Sequence, residues 1–178
     1  MRTCTPYPLG KLPAEHLARL LVHFAPPDER IVLGPSLGHD AAVISFGECY
    51  LVAKTDPITF ASDEIGWYAV HVNANDVATT GAAPRWFLVT LLLPEKGATR
   101  QMAEGVMAQV ATACRGLGIS VVGGHTEVTY GLERPLVVGH MLGEVPRERL
   151  VSTDGARVGD VILLVGGIAV EGTALIAR

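Results

Sequence analysis

The segment from Glu64 to Thr80 is apolar on most of its faces and stops at Gly81, with Pro84 shortly after. A helix that is greasy nearly all round cannot lie on a surface, so the chain has to build layers around it. The glycine supplies a left-handed cap at its end, and the proline prevents its continuation. The same helix carries a polar stripe. At 100° per residue, Asn73, Asp76 and Thr80 fall within about 60° of one another, whereas Asn75 lies roughly 160° away from Asn73. The stripe has two accounts. In one, the amide and carboxylate bond to neighbouring backbone in a satisfied buried network. In the other, Asp76 faces a metal or phosphate, and its company favours this, because Asp40 and Asp56 are also expected at strand ends.

Elsewhere the apolar pattern alternates between period two and period 3.6, which predicts an α/β chain. Leu17, Leu20, Leu21 and Phe24 follow i, i+3, i+4, i+7 and predict a surface helix with one buried stripe, started near Pro13 and ended at Pro26-Pro27. Ala41–Ser45 and Cys49–Lys54 read as a hairpin turning at Phe46-Gly47-Glu48, with Asp56 at the end of its second strand. Pro84–Leu93 is a continuous apolar strand. Thr99 then caps a helix whose core stripe is Met102, Val106, Val110, Ala113 and Leu117, ending around Gly116 and Gly118. A strand at Ile119–Val122 and an apolar run at Pro135–Val145 follow, and Val151–Asp160 reads as a linker turning at Asp154-Gly155. Val161–Val165 is expected to be a strand leading into a helical segment. The expected division is therefore an N-terminal domain over 1–150, with 151–178 as a linker and the first strand and helix of a second, truncated domain.

Composition narrows the function classes. With 49% hydrophobic and 18% charged residues in 178, this is ordinary globular material. A net charge of −4 without any Lys/Arg run gives no footprint for nucleic acid or an anionic membrane. The longest apolar stretches fall short of a bilayer span and the first residues lack a signal-peptide core, so a cytoplasmic location is expected. Cys4, Cys49 and Cys114 form neither a disulfide framework nor a zinc spacing. They read as reduced thiols, with Cys114 on the core face of its helix.

Four segments carry chemistry: Gly38-His39-Asp40-Ala41-Ala42, Lys54-Thr55-Asp56, Asn73-Ala74-Asn75-Asp76 running into Gly81-Ala82-Ala83-Pro84, and Gly123-Gly124-His125-Thr126. Carboxylates converging on one place call for a cation or its phosphate ligand, and Mg²⁺ with a nucleoside triphosphate is the obvious candidate. Singly the motifs are weaker. The loop at Gly34–Asp40 lacks the Lys-Ser/Thr of a Walker motif, and Gly167–Thr173 has no lysine for the β/γ-phosphates. Gly123–Thr126 reads equally as a loop with exposed amides, and His125 alone as a hydrogen-bonded structural histidine. Zinc and serine hydrolase signatures do not occur.

In combination and order the segments resemble the aminoimidazole-ribonucleotide (AIR) synthase-related superfamily, which includes thiamine-monophosphate kinase and the HypE-type hydrogenase-maturation proteins. The likeness runs from Gly10-Lys11-Leu12 to Ala177. Gly38-His39-Asp40-Ala41-Ala42 is similar to the kinase's Gly-Asp-Asp-Ala-Ala, Thr55-Asp56 to the shared Thr-Asp, and Asn75-Asp76 with Gly81-Ala82 to the shared Asn-Asp and Gly-Ala. The resemblance implies an AIR-synthase-like N-terminal domain, a mixed sheet flanked by helices that dimerises sheet to sheet into a barrel. It implies ATP bound with Mg²⁺ at Asp40, Asp56 and Asp76, and phosphates in a cleft shared with the partner. Asn73, Asn75, Gly123, Gly124, His125 and Thr126 would line the nucleotide.

Two departures are visible. His125 stands where relatives carry a carboxylate, and Asp56–Gly66 lacks the Gly-Val-His-Phe of the kinases, in which it looks more like the HypE branch. Three functions from different classes follow as expectations. The first is an ATP-using enzyme that activates an amide or carbonyl oxygen, or a phosphate acceptor, by phosphoryl transfer. The second is a non-catalytic nucleotide-binding module. The third is a homodimeric docking domain for a protein partner in metallocentre assembly. No catalytic residue is assigned.

Overall fold

A computed structural model describes residues 6–24, 28–59, 61 and 63–177. The first helix, α1 (Ala14–Leu21), is followed by strands β1 (Ile31–Leu33), β2 (Ala42–Phe46) and β3 (Cys49–Ile58). Then come α2 (Ile65–Ala78), β4 (Ala83–Pro94), α3 (Arg100–Leu117), β5 (Ser120–Thr129), β6 (Leu136–Pro146) and α4 (Val170–Ala177). The strands form one six-stranded mixed sheet in the order β1-β2-β3-β6-β4-β5, flanked by helices. Among the described residues only β4 and β5 pair in parallel, joined through α3 as a crossover unit. β6 is antiparallel to both β3 and β4, so it inserts between two strands that α2 connects.

α2 lies against β3, β6 and β4 on one face and packs beside α3. Ile65, Ala69, Val70, Ala74 and Val77 are buried there against Val52, Phe87, Val89, Met141 and Val145. The opposite side of α2 is less enclosed than its composition suggests, because Trp67 is 42% exposed and stacks on His71 at a centroid separation of 3.7 Å. The close approach of helix to sheet depends on glycines in β6. A Cβ at Gly143 would lie 2.5 Å from Val77 Cγ1 and 2.7 Å from the Ala83 carbonyl oxygen, and one at Gly139 would run into Asn73 Nδ2 and the Phe87 ring. Gly81 ends the α2 turn at φ 79°, as the sequence leads one to expect.

α3 begins at the expected cap, with Thr99 Oγ1 accepting from the Met102 amide at 3.1 Å. Its buried stripe is Val106, Val110, Ala113 and Cys114, while Leu117 is exposed at the helix end. Burial pushes the Cys114 thiol up to about 11, because a thiolate there would lose its hydration.

The structure corrects four expectations. The apolar stripe of α1 is not buried, and Leu20 and Phe24 are exposed, because periodicity makes a helix amphipathic without supplying the surface that would cover it. β3 continues through Asp56 to Ile58, since β6 offers ladder partners that far, so Asp56 sits inside a strand. Gly123–Thr126 is not a loop, because it pairs with Leu88–Leu91 of β4 inside β5. Residues 161–165 form no strand among the described residues; Ile162 and Val165 are almost fully exposed and no neighbouring strand offers them a ladder. Cys4 and the expected stop at Pro26-Pro27 lie outside the described residues. No helix of the described residues is long and apolar enough to cross a membrane.

Gly143→Ala should lower unfolding free energy by about 1–3 kcal/mol through overpacking. Gly105→Ala and Gly116→Ala, in open positions on α3, should instead stabilise by about 0.4–1 kcal/mol. Equilibrium urea unfolding of the three variants tests the contrast. In the native protein at pH 8, iodoacetamide should alkylate the half-buried Cys49 well before Cys114, read by peptide mass mapping.

Candidate functional site

Strand alternation sets which side chains can meet. Val52, Lys54, Asp56 and Ile58 of β3 share the face that α2 covers, in register with Gly143, Met141, Gly139 and Val137 of β6. The stripe of α2 comes down on this row. Asn73 is fully buried, and its Nδ2 donates to the Ala69 carbonyl at 2.8 Å and to the Asp56 carbonyl at 3.3 Å. The backbone-bonded account of the amide therefore holds for its nitrogen. Its Oδ1 is buried without a hydrogen-bond partner.

One turn further along, Asp76 reaches Lys54. The Lys54 ammonium lies 2.7 Å from Asp76 Oδ2 and 3.5 Å from Asp56 Oδ2. Burial pulls the ammonium's pKa down, but the hydrogen bond and charge of Asp76, joined by the charges of Asp56 and Asp40, more than offset it and hold Lys54 above its ordinary value. Two of the three predicted metal ligands thus flank a single cation position between β3 and α2. Asp40 belongs to this field but is exposed on the loop before β2. Thr80, the last of the stripe, donates Oγ1 to the Val77 carbonyl at 2.7 Å and serves the helix end.

Among the described residues no group of three or more His, Cys, Asp or Glu side chains is placed to hold a metal. The donor set still suits Mg²⁺, which is usually held by one or two carboxylates with waters and substrate phosphates rather than by an all-protein cage. A cation already stands between Asp56 and Asp76, in the form of an ammonium, and this marks the position as one where positive charge is stable.

Other predicted residues fall elsewhere. Asn75 is exposed on the outer side of α2, where its carbonyl accepts from the Thr79 amide. Gly124 pairs with Val89, and a Cβ there would strike the Val89 carbonyl, so glycine is needed for the strands to approach. His125 is in register with Thr90, which pairs with Val138 on β6, as does Pro57 of β3. It is therefore on the face turned away from α2 and α3, three strands and roughly 14 Å from β3. There it is 62% exposed and lies 3.0 Å from Glu127 Oε2. Thr126 is likewise exposed. Within one chain the structure does not bring the Gly123–Thr126 segment to the carboxylates.

A cavity of about 740 Å³ opens beside Asp56, lined among others by Lys11, Ile58, Tyr68, Val72 and Arg134. Its size is in the usual range for small-molecule sites. Lys11, Tyr68 and Arg134 had no assigned role from sequence, and neither did Lys54. Lys54 was legible in principle, as an inward-alternating partner of Asp56 two residues on. Lys11 and Arg134 are far apart in the chain, one before α1 and the other just before β6, and share no local signal.

The loop bearing Asp40 is clamped by the residues that follow β6. The His39 ring faces the Gly34 carbonyl at 3.1 Å through Nδ1 and Asp154 Oδ2 at 3.0 Å through Nε2, while Thr153 Oγ1 donates to the Gly38 carbonyl at 3.0 Å. The Gly34 carbonyl, followed by Asp154, holds the His39 pKa above its ordinary value. The Val151 amide donates to the Thr80 carbonyl at 2.9 Å, so the start of the expected linker is pinned to the site.

Comparison with known proteins places this geometry in context. Residues 38–145 match the family described as AIR synthase related protein, N-terminal domain. Carbamoyl dehydratase HypE of Cupriavidus necator is 32% identical over 149 residues, covering 79% of this chain and 42% of that protein. A structure of AaThiL complexed with AMPPCP and TMP superposes with a TM-score of 0.62 at 29% identity, over 71% of this chain and 42% of that one. Hydrogenase maturation protein HypE in complex with ATP superposes with a TM-score of 0.55 at 26% identity, over 82% and 41% respectively. The chain spans less than half the length of the curated relatives it matches. By the match over its sheet and site segments, the chain belongs to the AIR synthase related family.

Proposed function

We propose that this chain is the Mg²⁺-dependent ATP-binding domain of an AIR-synthase-related enzyme, most like the HypE branch. The observation that carries the reading is the convergence of Asp56 and Asp76, from β3 and α2, on one cation position at the edge of a cavity that also presents Lys11 and Arg134. Similar proteins have been solved with ATP and with AMPPCP, which supports a nucleotide as the ligand. Asp56 and Asp76 would hold Mg²⁺, with Asp40 adding negative charge from its loop. Bound there, Mg²⁺ would screen phosphate charge and favour phosphoryl transfer to an amide or carbonyl oxygen.

The protein's own groups have distinct tasks in this reading. Lys11 and Arg134 attract the phosphates, with Arg134 suited to two-pronged contact. Tyr68, Ile58 and Val72 offer an apolar wall beside them. Asn73 fixes the distance between β3 and α2 by bonding the Asp56 carbonyl, so the two carboxylates keep their separation. A thiamine-monophosphate-kinase-like phosphotransferase is the second reading, favoured by the likeness to AaThiL, whose structure contains TMP. Residues 151–178 are taken as the start of a second domain that would complete the acceptor site.

We also take the protein to be a homodimer. Ile44, Leu51, Leu88, Leu92, Val138 and Leu142 lie on the sheet face away from α2 and α3 and remain partly exposed. An apolar face of this extent is unfavourable in water and suits a second sheet.

Asp76→Asn should weaken Mg·ATP binding by about ten- to a hundredfold in calorimetry, with the fold retained by circular dichroism. Wild-type affinity in that variant would remove Asp76 from the site. Light scattering at micromolar concentration should give twice the 18.8 kDa chain mass, and Val138→Lys should give the monomer. A monomeric wild type would overturn the dimer.

A further inference from the structure

Lys54 is the cation that the structure gives to both Asp56 and Asp76. Resting on the nucleotide reading above, we propose that Lys54 is a displaceable counter-ion that makes metal uptake conditional on nucleotide. Without ligand its ammonium occupies the cation position; when phosphate enters the neighbouring cavity, the ammonium transfers to phosphate oxygen and leaves the carboxylates to the metal.

Electrostatics and sterics both set the ammonium and the metal against each other. A divalent ion and an ammonium cannot share the space between Asp56 and Asp76, because like charges a few ångströms apart in a half-buried site are weakly screened and repel strongly. Two carboxylates facing one ammonium leave about one net negative charge, a weak attraction for a strongly hydrated Mg²⁺. Moving the ammonium onto phosphate restores both carboxylates to the metal and neutralises part of the incoming anion. The lysine stem permits the move: four methylenes carry a point charge with rotatable donors, and the residue lies within β3, lining one opening and standing two residues from Asp56, which lines another. On one side Lys54 itself lines a shallow cleft of about 350 Å³ with Asp40 and Thr55; on the other, Asp56 lines the larger cavity with Lys11 and Arg134. Asp76 and Asp56 contact the ammonium directly and Asp40 acts on it at longer range, so the exchange involves charges from α2, β3 and the loop before β2.

The test uses the full chain, with Mn²⁺ followed by electron paramagnetic resonance and AMPPCP by calorimetry. In wild type, Mn²⁺ alone should bind weakly, and AMPPCP should raise its affinity. Lys54→Met keeps the stem and removes the charge. It should tighten binding of Mn²⁺ alone by about tenfold and weaken metal-free AMPPCP by about fivefold. Lys54→Arg keeps the charge and should stay near wild type in both. A lysine serving only as a structural ion pair would raise metal affinity on removal while leaving metal-free AMPPCP untouched, and that result overturns the proposal. So does an increase in Lys54→Arg equal to that in Lys54→Met. If wild type binds neither Mn²⁺ nor AMPPCP at millimolar concentration, the nucleotide reading itself falls; if it binds Mn·AMPPCP but Lys54→Met changes neither affinity, the counter-ion role alone falls.

Discussion

The site depends on how closely α2 can lie on β6. Gly139 and Gly143 present bare backbone beneath Asn73 and Val77, and any side chain there would lift the helix off the sheet. That approach puts Asn73 within reach of the Asp56 carbonyl and, one turn on, Asp76 within reach of Lys54. Packing and chemistry thus share one contact. A shift of an ångström at Gly143 is felt at the carboxylates, because a well-packed interface does not deform continuously.

Around that contact one ammonium faces two carboxylates, an arrangement that suits the proposed exchange better than permanence. An ion pair between partly buried groups is a poor source of stability, since desolvation consumes much of the attraction. It makes better sense as a means of holding two mutually repelling carboxylates on one position, ready for a cation. The absence of a third acidic ligand beside them, among the described residues, fits a metal that arrives with phosphate oxygens. The clamp of Thr153 and Asp154 on the Gly34–Asp40 loop extends the same economy, tying the segment after β6 to the loop that carries the third carboxylate.

The far face of the sheet and the edge strand β5 have a different character. β5 is exposed along both faces, including Val121, Val122 and Val128, although it pairs with β4 over nearly its whole length, broken by a register shift at Val122. α1 is amphipathic with its stripe only partly covered, Leu17 and Leu21 being half-buried and Leu20 and Phe24 exposed. These surfaces have the composition of interior and the exposure of exterior, which is the physical basis for reading the chain as part of a larger assembly.

The amino-acid sequence determined what is local. The α2 helix with its Gly81 stop, the Thr99 cap of α3, the β2–β3 hairpin, the inward Cys114 and the polar stripe of Asn73, Asp76 and Thr80 all follow from periodicity and capping, which act within a few residues; the exposure of Trp67 and Asn75 on α2 does not. The order of four short motifs also sufficed to point to the family. Tertiary structure decided what depends on pairing between distant segments. It inserted β6 between β3 and β4, extended β3 past Asp56, and drew Gly123–Thr126 into a strand with His125 on the face opposite the carboxylates. It left 161–165 without a ladder despite strand composition, because a strand is stabilised by its neighbour rather than by itself. It also placed the Lys54 ammonium between Asp56 and Asp76, a position that no spacing in the chain encodes, since it exists only where a helix crosses a strand at glycine distance.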